Sequence, residues 1–309
     1  MTGSTLPAVG GPAVAAPAAR RRRKARVTLL MFAAPAVLWF AVFMVGPLAS
    51  VFYLSTLNWG SILADGDFVG LDNFARLLRD PVIPVAAANT ALQLAIVLPT
   101  MILLAFMLGY FLSLRPPGYR ILSVIFFTAA LFSLPARAMM FVGVYMPNGI
   151  INSFLVALGM DDWTRAWLAD ASTAFPAVLF VDLWGGIGFT AVLFASRISG
   201  IGHEVYEAAE IDGASQWTKM WRVTFPMILG YVGVLTMLQF LWLLLLSAQN
   251  VLLLTKGGPG NSTMTLSYYL YDQAFESSRI GYSQAIGVVL FVVGLVGVIV
   301  IRRVLRERY

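Results

Sequence analysis

The chain has 309 residues, 59% of them hydrophobic and only 12% charged, with a mean hydropathy of +0.81; soluble domains carry about 25% charged residues, so a soluble globular fold is excluded. Cysteine is absent and His203 is the single histidine, which excludes disulfides, thiolate nucleophiles, Cys-ligated zinc, multi-histidine metal sites and Ser-His-Asp triads with a spare base. The formal charge of +6 takes on meaning only when the charges are placed along the chain.

Residues 1–26 begin as an Ala-, Pro- and Gly-rich stretch without apolar periodicity and end in the basic cluster Arg20–Arg26. They read as a disordered basic tail. The apolar run that follows is too long for a signal-peptide core and has no convincing cleavage site, so it reads as an uncleaved start helix. Residues 27–309 form the membrane domain. Stretches 27–64, 81–114, 223–255 and 281–301 contain no Asp, Glu, Lys or Arg. Two further apolar stretches carry one charge each, Arg137 and Asp182. A crossing needs about 20 apolar residues, which predicts six transmembrane helices near 28–50, 85–113, 119–145, 174–196, 227–250 and 281–301. Each crossing must satisfy its own backbone, so the fold is an all-α integral membrane bundle.

Leu71, Phe74, Leu77 and Leu78 recur at helical spacing and predict a short amphipathic helix on the outer interface. Residues 150–158, with Asp161, Asp162, Trp163 and Trp167, predict a second structured outer loop. Six crossings put both termini on one side with loops 114–119 and 197–226. That side gathers fifteen basic against five acidic residues, a net +10; the other side has five against nine, a net −4. The positive-inside rule then places both termini in the cytoplasm. The basic excess reports orientation and attraction to lipid head groups, with no nucleic-acid partner implied.

Segment 197–226 is too long for a plain connector. Glu204, Glu207, Ala208, Glu210 and Ile211 form one helical stretch, broken at Asp212-Gly213, where glycine tolerates a bend with positive φ. Ser215 is a candidate N-cap for a second stretch, with Trp217, Met220, Trp221 and Val223 as its apolar surface. Pro226 is expected to begin the next membrane helix, where its missing N–H costs nothing. The residues alone leave two readings open: a docking element for a partner, or an amphipathic helix resting on the membrane.

The run Glu207-Ala208-Ala209, with Gly213 four residues on and Pro226 closing the segment, resembles the EAA loop of binding-protein-dependent ABC importer permeases. Val223 and Phe225 stand where that pattern has Ile and Leu. The extended run Glu207–Ala214, including Asp212, is similar to the version of the carbohydrate-uptake permeases; Met220 stands where these usually have Phe. The resemblance implies a type I ABC importer permease bundle in the bacterial plasma membrane. It also implies coupling helices that seat in two separate ABC ATPase subunits, a homologous second permease and an extracytoplasmic sugar-binding protein. No cofactor belongs to the chain itself: ATP-Mg would be bound by the partner ATPases. The one Gly-rich run, residues 256–263, lacks the GxxxxGK[ST] order of a phosphate cradle. That run and the tyrosines after it, with the GLDNFARLL segment at 70–78, look like the corresponding parts of maltose-type sugar permeases.

Polar groups inside membrane segments are candidates for the transport path. Arg137 and Asp182 are expected either to form a buried ion pair or to touch substrate. Asn89, Gln93, Gln239, Gln249 and Asn250 offer hydrogen bonds suited to sugar hydroxyls or to neighbouring helices. Tyr145, Trp184 and Trp242 offer stacking faces. Gly185, Gly186 and Gly188 read as sites of close helix packing or of a kink. The reading is a non-enzymatic permease subunit of an ATP-driven sugar importer. The alternative is an importer of another polar solute, such as a phosphorylated polyol. A membrane-embedded enzyme lacks clustered acid-base or metal residues, and a channel leaves the EAA loop unexplained.

Overall fold

The computed structural model describes residues 31–60 and 65–305; the basic tail expected at 1–26 lies outside them. The chain divides into two compact units, residues 1–51 and 52–309. Helix α1 (Met31–Leu54) supplies the described part of the first and runs into the start of the second. Pro47 has no N–H to offer the carbonyl four residues earlier. The helix widens just before it into a π-turn at Ala41–Val45, where the Gly46 N–H donates to the Ala41 carbonyl.

In the second unit, strands β1 (Leu57–Asn58) and β2 (Asp67–Phe68) pair antiparallel. The short helix α2 (Asp72–Leu77) follows, as the sequence predicts. Its Asn73 side chain donates to the Ser55 and Leu57 carbonyls, at 2.9 and 2.8 Å. Of its apolar residues Leu77 is buried, whereas Leu71 and Leu78 face outward. Helices α3 (Val82–Ser113), α4 (Tyr119–Leu131), α5 (Leu134–Tyr145), α6 (Ile150–Ala157) and α7 (Ala171–Ile198) come next. Helices α8 (His203–Ile211), α9 (Gln216–Met227), α10 (Leu229–Leu245), α11 (Ala248–Leu254), α12 (Leu266–Tyr271) and α13 (Ile280–Val304) complete the described fold.

Among the described residues, five helical stretches are long and apolar enough to cross a membrane: α1, α3, Leu134–Ala157, α7 and α13. The pair α9–α10, bent by 77°, supplies a sixth. Two boundaries differ from those read in the sequence. The crossing expected at 119–145 is broken at Phe132-Ser133, and its apolar character continues through α5 into α6. Pro135 cannot donate to the preceding turn, so the chain restarts a helix there, with Ser133 Oγ accepting the Ala136 N–H. The thirteen residues of α4 span only about 20 Å. Pro226, expected to begin a membrane helix, instead lies near the end of α9; the chain bends at Ile228 and α10 starts at Leu229.

Lipid tails are as apolar as leucine, so close packing and polar contacts hold membrane helices together. Helix α7 is the most enclosed, with 61% of its apolar window buried, and it packs along α3 and α4. A Cβ at Gly188 would collide with the Phe126 carbonyl of α4, and one at Gly186 with Met101 of α3. Close packing, as the sequence suggests, is what these glycines provide. One buried cluster surrounds Phe106, Phe194, Met220, Ile228 and Val232 at the end bearing the 197–226 segment. Another, around Tyr268, Tyr269, Tyr282 and Ile286, lies toward the opposite end.

Candidate functional site

The 197–226 segment folds as a helical hairpin whose turn is made by its own backbone. Helix α8 ends at Ile211 with Asp212 as its C-cap, and Gly213 takes φ +75°. The Gly213 N–H donates to the Glu210 carbonyl and the Ala214 N–H to the Ala209 carbonyl, both at 2.9 Å. This is a Schellman closure, which asks for a residue in the left-handed region. A Cβ at Gly213 would meet nothing within 4 Å, so glycine is needed there for its backbone and not for space. Ser215 caps the next stretch as expected, its Oγ accepting the Thr218 N–H at 3.2 Å.

Three polar bonds fix the hairpin. Lys219 Nζ donates to Glu210 Oε1 at 2.6 Å across the turn. Tyr206 Oη and Thr224 Oγ1 lie 3.0 Å apart, and the Tyr110 hydroxyl of α3 donates to Gln216 Oε1 at 2.9 Å. The hydrogen bond and charge of Lys219 hold the Glu210 carboxyl below its ordinary range. A nine-residue spacing across a bend has no sequence signature, so Lys219 and Glu210 were not legible as a pair.

The apolar surface predicted for the second stretch faces the bundle more than its surroundings. Met220 is buried, and Trp221 contacts Phe106 and Phe225, with ring centroids 5.3 and 5.5 Å away. The reason is a π-turn at Lys219–Thr224, which rotates these side chains onto α3 and α10. The outward face is formed instead by Glu207, Ala208, Asp212 and Gly213, with Ile211 88% and Trp217 62% exposed. Glu207 lies 3.6 Å from His203 Nδ1, one helical turn back. Ala209 and Ala214 are half-buried behind this face, and Pro226 is exposed beyond it.

A second constellation lies inside the bundle. Asp182 of α7 is fully buried and accepts two amide bonds, from Gln93 Nε2 of α3 at 2.7 Å and Asn250 Nδ2 of α11 at 2.6 Å. Ser247 extends the network by donating to Gln93 Oε1 at 3.4 Å. Arg137 is buried too, yet no direct ion pair joins it to Asp182. Its Nε and Nη2 have no hydrogen-bond partner, and the guanidinium sits 5.9 Å from the centre of the Trp242 ring. A Cβ at Gly185 would collide with Arg137 Nη1, so that glycine makes the room for it. Of the two readings, the direct pair is absent: Arg137 and Asp182 are buried apart, and each oxygen of the acid accepts one amide bond while keeping further acceptor capacity.

The other path candidates are dispersed. Gln239 donates to Thr190 Oγ1 at 2.8 Å, a contact between α10 and α7. The Tyr145 hydroxyl donates to the Ala177 carbonyl at 3.2 Å, and Trp184 packs edge-on to Phe141 at 5.3 Å. Gln249 is exposed. Asn89 holds the Gly-rich loop, its Nδ2 donating to the Asn261, Ser262 and Met264 carbonyls. Thr90 Oγ1 accepts the Leu266 N–H at 2.9 Å. Asp80, just before α3, accepts the hydroxyls of Tyr269 and Tyr282, both at 2.6 Å, and the Val82 N–H. Burial pulls its carboxyl upward, but these bonds and the charge of Arg279 outweigh it and hold Asp80 below its ordinary value.

Known proteins share this architecture. The sequence profile described as "Binding-protein-dependent transport system inner membrane component" matches residues 11–308. The diacetylchitobiose uptake system permease protein NgcF of Streptomyces coelicolor is 35% identical, over 91% of this chain and 85% of its own. The lactose transport system permease protein LacF of Rhizobium radiobacter is 30% identical, over 80% and 83%. A solved bacterial ABC transporter involved in alginate import superposes with a TM-score of 0.79 at 21% identity, covering 93% of this chain and 98% of that one. With the profile matched over nearly its whole length, the chain belongs to the inner-membrane permease components of binding-protein-dependent transport systems, as a multi-pass membrane protein.

Proposed function

We propose that the chain forms, with a homologous subunit, the membrane path of an ATP-driven sugar importer and couples that path to separate ATPase subunits. The observation that carries this reading is the outward face of α8. Glu207, Ala208, Ile211, Asp212 and Gly213 present a contiguous exposed surface on a hairpin locked to α3, α7 and α10. An exposed face carrying Ile211 is suited to a partner groove, and the lock lets force on it reach the membrane helices. ATP-Mg then belongs to the partners, and the chain needs no cofactor of its own. The substrate class is inferred from relatives that transport diacetylchitobiose, lactose and arabino-oligosaccharides. In this reading the termini and the hairpin lie in the cytoplasm of a bacterial inner membrane, and an extracytoplasmic binding protein delivers the sugar to the opposite face.

Uptake of labelled di- and oligosaccharides by cells lacking the chain, with and without its restoration, tests the substrate class. Restoration of uptake for a phosphorylated polyol but no sugar would replace it. Glu207→Lys should reduce co-purification of the ATPase and abolish uptake; full uptake with the ATPase retained sinks the docking role. Because the chain has no cysteine, Ser199→Cys gives a single reactive thiol, and labelling by an impermeant maleimide only from the cytoplasmic side checks the orientation.

A further inference from the structure

An apolar groove of about 320 Å³ runs down the flank of the bundle between α3, α9, α10 and the end of α13. Ile102, Leu103 and Phe106 of α3 line it with Trp221 of α9, Val232 of α10 and Leu305, just past the end of α13. Leu103 is 46% exposed at its lip. A lateral groove with so little polar lining on a membrane helix is surrounded by acyl chains or by another helix, and its one lining hydroxyl, that of Thr236, donates back to the Val232 carbonyl.

Two further observations favour a lipid. The indole Nε1 of Trp221 is buried and has no hydrogen-bond partner, although a buried indole N–H ordinarily finds an acceptor. A lipid ester carbonyl is an acceptor of this kind. Within one turn before Leu305, Arg302 and Arg303 are exposed at the end of α13, and Arg222 is exposed next to Trp221. Among the described residues none of the three is in an ion pair. Apolar groove, orphan donor and cationic rim follow the order of an anionic phospholipid: chain, ester, phosphate.

We propose that this groove binds one acyl chain of an anionic phospholipid. Its ester carbonyl accepts from Trp221, and its phosphate is held by Arg222, Arg302 and Arg303. The site rests on the orientation proposed above, which puts the rim at the cytoplasmic leaflet. Because Trp221 and Phe225 belong to α9, the lipid would touch the segment joining the coupling hairpin to the membrane.

The test is photolabelling of the complete transporter in vesicles carrying a phosphatidylglycerol or a phosphatidylcholine probe with a diazirine in the acyl chain. Expected is labelling of α3 and α10 peptides at least fivefold stronger with phosphatidylglycerol. Leu103→Trp, which fills the groove from its exposed lip, should reduce labelling about tenfold. Exchanging Arg222, Arg302 and Arg303 for Gln should bring the two probes to parity without abolishing chain labelling. Equal labelling by both probes in the unaltered protein overturns the proposal, as does cross-linking of the groove to a helix of the second permease in place of lipid. Labelling needs no substrate, and the Ser199→Cys experiment reports orientation by itself, so the lipid site and the transport reading fail separately.

Discussion

The 197–226 hairpin and the polar cluster inside the bundle are assembled in opposite ways. The hairpin is local: its turn, cap and cross-turn bridge all lie within Tyr206–Thr224, and most of its outward face is solvated. The interior cluster joins three helices through contacts 89 and 68 residues apart, around a fully buried carboxylate. A local motif keeps its shape when one contact is lost, because the backbone closure remains. A buried ionic cluster has no such reserve, since each removed partner strands a polar group in low dielectric.

The largest expected effect is therefore at Asp182. Asp182→Ala leaves the Gln93 and Asn250 amides without acceptors and Arg137 without its nearby counter-charge. The expected destabilisation is about 3–5 kcal/mol, read as a lowered thermal midpoint and reduced membrane yield. An unchanged midpoint would erase the contrast between the two regions. Within the hairpin, Glu210→Ala should lower the thermal midpoint more than Lys219→Met. The first strands a buried ammonium, whereas the second removes the charge that needed a partner. The reverse order would show that Lys219 does not depend on Glu210.

Gly213→Val should cost about 1–2 kcal/mol through backbone strain alone, since no neighbour obstructs the new side chain. Gly213→Asn, which tolerates the left-handed region, should recover much of it. Equal losses for the two would point to a steric cause instead. The smallest effect is acid-dependent. The Asp80 pKa is depressed on folding, so its contribution is complete above the ordinary carboxylate value and is lost as pH falls through the lowered one. An Asp80→Asn protein should lack that loss on titration from pH 5 downward; identical acid profiles would remove Asp80 from the account.

The same contrast explains what the sequence made legible. Charge-free runs located the crossings, and Asp212-Gly213 and Ser215 announced a bend and a cap, because these signals are one-dimensional. The break at Phe132-Ser133 was signalled by Pro135, but the unbroken apolar composition around it outweighed that signal. The inward rotation of Met220 and Trp221 depends on a π-turn, for which the residues carry no pattern. Arg137 and Asp182 were marked by being charged within apolar helices. Which groups would meet them was hidden, because Gln93 and Asn250 come from helices whose packing no periodicity specifies. Asn89 was open to sugar hydroxyls or to neighbouring helices; its three bonds go to a loop, which its position in an apolar run does not announce.

Helix α3 touches both ends of the molecule. Its Tyr110 holds the hairpin and its Asn89 and Thr90 hold the Gly-rich loop, and its 32 residues make a rod of about 48 Å. The one interior residue unable to donate a backbone bond is Pro99, midway along it. Under the proposed coupling role, a push on the hairpin would reach the far loop along a single stiff member with a single weak point. Stiffening position 99 with alanine should tighten the timing between the two ends, and a glycine there should let them fall out of step.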